Sequence, residues 1–122
     1  MKKYFNLIVA LVVMLFAGNS FAFTPPPAPA QGWYVSDQTG KLSATDITSL
    51  NQKIEQVSKT TKNEFGILLL NSMDGESVED VAYKTFDSWG IGKRGWDNGC
   101  LIVVSLQERK TRIETGKGVG GE

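Results

Sequence analysis

The sequence predicts an α/β sandwich in which a central mixed β-sheet is covered by helices, with the element order β-α-β-α-β-β. Three observations carry that expectation. Two Ser-x-x-acid segments, Ser43-Ala44-Thr45-Asp46 and Ser77-Val78-Glu79-Asp80, each open a stretch of apolar residues at helical spacing. Two apolar runs, Phe65-Gly66-Ile67-Leu68-Leu69-Leu70 and Cys100 to Leu106, are too short for lone helices and read as buried strands. A last segment, Thr111-Arg112-Ile113-Glu114-Thr115, alternates polar and apolar residues as a partly exposed antiparallel strand does. Strand-helix alternation followed by a tight reversal yields a mixed sheet with helices on it.

Each element has a local reason. Trp33-Tyr34-Val35 is a short aromatic and β-branched run that suits a first strand, and Asp37-Gln38-Thr39-Gly40 turns the chain after it. Ser43 caps the first helix with Leu42 as a hydrophobic staple, and Ile47, Leu50, Ile54 and Val57 form its apolar stripe. Met73-Asp74-Gly75-Glu76 makes the next turn. Ser77 caps the second helix, whose buried stripe is Val78, Val81, Ala82, Thr85, Phe86 and Trp89 and whose stop is Gly90. Gln107-Glu108-Arg109 with Lys110 reverses the chain between the last two strands.

Residues 1–22 read as a cleaved secretory signal. Lys2 and Lys3 form a basic start, Leu7 to Ala17 an apolar stretch, and Ser20-Phe21-Ala22 a small-x-small exit. The apolar stretch reaches about half of the ~30 Å hydrocarbon thickness, too short for a comfortable span. Residues 23–32, with Pro25, Pro26, Pro27 and Pro29, read as a proline-rich linker in extended polyproline geometry. Residues 33–122 make one small domain. They end in Gly116-Lys117-Gly118-Val119-Gly120-Gly121-Glu122, a glycine-rich run expected to lead into a further element, so the sequence is expected to stop inside its domain.

Composition removes whole classes of chemistry. The chain carries 13 basic and 13 acidic residues, no histidine and one cysteine. Without histidine there is no Ser-His-Asp triad and no imidazole base, and one cysteine makes neither a disulfide framework nor a thiolate zinc cluster. Cys100 opens an apolar run and reads as a small buried hydrophobe. No basic face outweighs the acids, which argues against nucleic acid. Gly116-Lys117-Gly118 does not match the spacing of a phosphate loop, which argues against a nucleotide.

The segment Trp89 to Gly99 concentrates the remaining chemistry. It packs four glycines, Trp89 and Trp96, Lys93 and Arg94, and Asp97 into one connection between the second helix and a buried strand. Four glycines in so short a connection argue for a defined shape. Lys93, Arg94, Trp96 and Asn98 form a candidate anion or partner loop: Arg grips a phosphate or carboxylate by two prongs, and Trp anchors interfaces. The plainer reading is that the two cations keep an exposed loop solvated.

Several motifs then align: Tyr34-Val35-Ser36-Asp37-Gln38-Thr39-Gly40-Lys41-Leu42-Ser43, the Ser77 to Phe86 helix, Trp89-Gly90-Ile91-Gly92, Asp97-Asn98-Gly99 with its strand, and Arg109-Lys110-Thr111-Arg112-Ile113-Glu114-Thr115-Gly116. Together they resemble the TPM domain family, over about residues 33–122. The resemblance implies an exported α/β sandwich, often tethered by a membrane segment downstream, and a membrane or envelope protein as partner. It also implies a divalent cation, Ca2+ or another, held by loop carboxylates and carbonyls, with Asp37 and Asp97 as the candidate metal ligands. Calcium takes six to eight oxygens, so these two only begin a site, and both also suit plain turns. Two functions stay open: an accessory module for assembly, repair or modulation of a membrane protein, and a metal-assisted acid phosphatase, an activity assigned to plant members of the family.

Overall fold

The computed structural model describes residues 23–119. Residues 1–22, which the sequence reads as a signal, and the final residues 120–122 lie outside the described residues. Six elements follow the expected order: β1 (Val35–Asp37), α1 (Ala44–Thr61), β2 (Glu64–Leu70), α2 (Val78–Trp89), β3 (Gly99–Ser105) and β4 (Lys110–Thr115). The strands form one sheet in the order β1-β2-β3-β4. β1, β2 and β3 run parallel, and β4 returns antiparallel to β3.

The helices begin and end where their caps dictate. The Ser43 hydroxyl accepts from the Asp46 N–H at 3.0 Å while the Asp46 carboxylate accepts from the Ser43 N–H at 3.2 Å, which satisfies two of the orphan donors at the start of α1. Ser77 accepts from the Asp80 N–H at 3.1 Å to start α2, and Gly90 in the left-handed region (φ 61°) ends it.

Strand alternation decides where the core lies. On β2 and β3 the residues Leu68, Leu70, Leu101 and Val103 share one face and are buried, and α2 covers them with Val81 and Ala82. Leu68, Leu101, Val103 and Val81 are fully enclosed. Each such side chain contributes about 2 kcal/mol through burial. The opposite face carries Phe65, Ile67, Leu69, Ile102 and Val104, only half-buried, so β2, read as a buried strand, is fully buried on one face alone. α1 lies along β1 and β2, but Asn51 is its only buried residue, and Val57 of the expected stripe is 47 % exposed.

The first strand starts later than its aromatic residues suggest. Tyr34 N–H donates to the Asn51 side-chain oxygen at 2.8 Å, and Asn51 Nδ2 donates to the Gly32 carbonyl at 2.8 Å, so α1 clamps the approach to β1. The proline-rich segment is also more than a spacer. Phe23 enters the core, its N–H donates to Glu76 Oε1 at 2.7 Å, and the Trp89 indole N–H donates to the Pro26 carbonyl at 2.8 Å. An extended polyproline stretch leaves its carbonyls unpaired, and here one satisfies a half-buried indole.

Candidate functional site: the loop between α2 and β3

The connection from Gly90 to Gly99 is a folded-back loop whose two limbs touch backbone to backbone. Gly92 sits at φ 96°, and a Cβ there would lie 2.8 Å from the Gly99 nitrogen; a Cβ on Gly99 would lie 2.5 Å from the Ile91 carbonyl oxygen. No side chain fits at either contact. Asn98, only 5 % exposed, holds the limbs together. Its Oδ1 accepts from the Lys93 N–H at 2.7 Å, its Nδ2 donates to the Lys62 carbonyl at 2.6 Å, and its own carbonyl accepts from the Glu64 N–H at 2.9 Å. Glu64 adds a further tie, its carboxylate accepting from the Gly92 N–H at 2.8 Å.

The tip of the loop is a tight turn in which the N–H groups of Trp96 and Asp97 donate to the Lys93 carbonyl at 3.0 and 3.1 Å. Asp97 takes a left-handed conformation (φ 49°), which an Asp tolerates. The Asp97 carbonyl accepts from the Gly118 N–H at 2.8 Å, and the tip turns Lys93, Arg94, Trp96 and Asp97 out to solvent. Trp96 is 58 % exposed, and Lys93 Nζ lies 5.0 Å from the centre of its ring in a cation–π arrangement. Among the described residues neither Lys93 nor Arg94 joins a salt bridge. A shallow cavity of about 330 Å³ lies between Phe86 and Asp87 of α2 and Lys93, Arg94 and Asp97 of the loop. It presents two cations and two carboxylates, so it has no dominant sign. That arrangement suits a polar or amphipathic protein surface better than a free polyanion.

The two aspartates singled out as metal ligands are not brought together. Asp37 ends β1 and stands level with Leu69 of β2 and Val104 of β3, whereas Asp97 lies beyond the opposite end of the sheet, before Gly99. Five strand residues, about 16 Å, separate the two levels. A single ion cannot touch both. Asp37 is committed to its own turn: Oδ1 accepts from the Thr39 N–H at 2.8 Å and from the Thr39 hydroxyl, and Oδ2 accepts from the Leu42 N–H at 3.0 Å. Desolvation pushes this carboxyl up, but the hydrogen bonds from Thr39, Leu42 and Gly40 outweigh it and hold the pKa below its ordinary value. Among the described residues no three His, Cys, Asp or Glu side chains cluster as a metal site, so the residues present do not fit a calcium shell.

Asn98 also departs from expectation. As a candidate binding residue it would need a free amide, and both ends of its amide are engaged inside the fold. It shapes the loop and does not present itself to a ligand. Cys100 is buried as expected, and desolvation pushes its thiol pKa up, which makes it a poor nucleophile.

A second cluster was not legible in the sequence. Glu108, in the β3–β4 reversal, accepts from the Ser105 hydroxyl, from the Ser72 hydroxyl at 2.8 Å and from the Met73 N–H at 3.0 Å. The Ser105 hydroxyl above all, with the Met73 N–H and the Ser72 hydroxyl, brings its pKa down to about 2. The cluster ties the reversal to the β2–α2 loop and leaves the carboxylate occupied.

Comparison with known proteins agrees with this architecture. A family profile described as the TPM domain matches residues 35–122. The solution NMR structure of the N-terminal domain of a protein from P. gingivalis superposes with a TM-score of 0.64 at 32 % identity, over 70 % of this chain and 54 % of that one. The N-terminal domain of the cg2496 protein from Corynebacterium glutamicum, also solved by NMR, gives a TM-score of 0.61 at 23 % identity, over 81 % of this chain and 63 % of that one. The chain thus spans little more than half the length of the first and under two thirds of the second. No curated protein matches it. The strand order, the capped helices and the glycine-shaped corner sit within the matched stretch, and the chain belongs to the TPM domain family.

Proposed function

We propose that the domain is an exported binding module that docks on a membrane or envelope protein through the tip of the α2–β3 loop, as an accessory in that protein's assembly, repair or modulation. The observation that carries this reading is Trp96, 58 % exposed beside Lys93 on a turn whose backbone is already fixed by Asn98. Trp and Arg anchor interfaces most often, and a preorganised loop loses little entropy when it docks. Export rests on the signal-like pattern of residues 1–22. The acid phosphatase reading needs a shell of carboxylates around divalent ions, and the described residues bring no such shell together.

The test compares the wild-type chain with Trp96→Ala and Asp97→Asn. Crosslinking in detergent-solubilised envelopes should trap an integral membrane protein with the wild type, and Trp96→Ala should lose it without a change in Tm. Phosphomonoester turnover that needs Ca2+ or Mg2+ and vanishes in Asp97→Asn would overturn the binding reading in favour of the enzyme.

A further inference from the structure

β4 is the outer strand of the sheet among the described residues, and its free edge complements itself. The Gly116 N–H donates to the Gly99 carbonyl at 2.9 Å. Antiparallel pairing alternates the direction of backbone polar groups, so the N–H and C=O of Arg112 and Glu114 also face β3, while those of Thr111, Ile113 and Thr115 face the open side. Beyond Gly116 the Gly118 N–H donates to the Asp97 carbonyl at 2.8 Å, which continues the β3–β4 register toward the loop. Ile113, at the centre of the strand, is 59 % exposed.

A second copy of β4 laid antiparallel with Ile113 opposite Ile113 puts Thr111 opposite Thr115 and Arg112 opposite Glu114. Every outward-facing residue then falls in a hydrogen-bonded pair. Arg112 and Glu114 fall in the pairs between, where Cα atoms approach to about 4.5 Å and side chains meet. Within one strand Arg112 Nε already donates to Glu114 Oε2 at 3.0 Å, so the dimer would alternate four charges across its axis. Centring the pair on Thr111 instead sets Lys110 against Arg112, two like charges. Centring on Arg112 or Glu114 sets that residue against its own copy, and centring on Thr115 pairs no opposite charges, so the Ile113 register alone pairs opposite charges with no like charges opposed, in contrast to edges that carry charge only to repel other strands.

We propose that two copies of this chain associate through their β4 edges about a two-fold axis at Ile113, joining two four-stranded sheets into one continuous sheet. The interface is isologous, so each strand supplies Arg112 to one charge pair and Glu114 to the other. It does not involve the α2–β3 loop, and it stands apart from the docking function proposed above.

Sedimentation velocity of the purified full chain over a concentration series tests it. The wild type should double its mass in the upper micromolar range, and Trp96→Ala should do the same. Arg112→Glu sets carboxylates against carboxylates and Glu114→Arg sets guanidiniums against guanidiniums, so each alone should weaken the dimer about tenfold or more. An equal mixture of the two variants should restore it, as should the double variant. Ile113→Lys, at an exposed position, should give a monomer with unchanged Tm and so guards against a folding artefact. A wild type that stays monomeric at millimolar concentration, or a mixture that fails to re-associate, would overturn the proposal.

Discussion

The two ends of the sheet treat their polar side chains in opposite ways. At the end where β1 stops and β3 turns into β4, Asp37 and Glu108 direct their carboxylates inward, onto N–H groups and hydroxyls of nearby turns. At the other end Asn98 and Glu64 point inward, while Lys93, Arg94, Trp96 and Asp97 stand in solvent. A carboxylate in a turn is therefore no sign of a site by itself. It becomes one when other groups have satisfied the backbone and left it free, as Asn98 does for the loop tip.

The sharpest way to break that comparison is to damage the scaffold of the exposed end. Gly99→Ala places a methyl group 2.5 Å from the Ile91 carbonyl oxygen, a backbone atom that cannot rotate away. The limbs must separate, at a cost of about 3 kcal/mol. Thermal melts should show a deeper fall in Tm than any side-chain truncation in the loop produces, with partner binding lost as well. Asn98→Ala comes next. It strips the acceptor from the Lys93 N–H and the donor from the Lys62 carbonyl, and two part-buried polar groups left unpaired cost about 2 kcal/mol together. An Asn98→Ala chain as stable as the wild type would mean that water replaces the amide and that the loop is not preorganised.

Much of this architecture could be read before any coordinates. Ser43, Ser77 and Gly90 mark helix ends because their signals are local: a hydroxyl within three residues of its N–H, or a glycine where the chain must go left-handed. The loop was legible as shaped for the same reason. What stayed hidden depends on direction and distance along the chain. The sequence shows that Asn98 can donate and accept, but not that both ends of its amide turn inward. Glu108 reads as a turn residue, since its partners Ser72 and Met73 lie 36 and 35 positions away. Asn51 sits among the polar residues of α1 and gives no hint that Gly32 and Tyr34 will claim it. Asp37 and Asp97 look alike on paper because both occupy turns, and only the strand register sets them at opposite ends.

At the inward-facing end the comparison is sharpened by pH. Glu108 titrates at about 2 in the fold against 4.5 ordinarily, so its contribution to stability is complete above pH 4.5 and is lost as pH falls from there through 2. Asp37, also held low, adds to the loss in the same direction. Wild-type Tm should therefore drop steeply over that window. Glu108→Gln should start somewhat lower at pH 7 and fall less on acidification, so that the two curves converge near pH 2. Parallel curves would show that the hydroxyls of Ser72 and Ser105 do not favour the charged form.

The smallest expected effect on stability is also the most diagnostic of function. Trp96→Ala removes a side chain that is 58 % exposed and whose contact with Lys93 lies at the surface, where a cation–π pair contributes about 0.5–1 kcal/mol at most. Lys93 regains its hydration once the ring is gone, so the net change in stability should fall within about 0.5 kcal/mol, as for other surface substitutions. A large indole on a fixed turn that contributes so little to the fold has its use outside the fold. If Trp96→Ala melts far below the wild type, the ring is instead a lid on the loop, and the two ends of the sheet differ in sequence but not in kind.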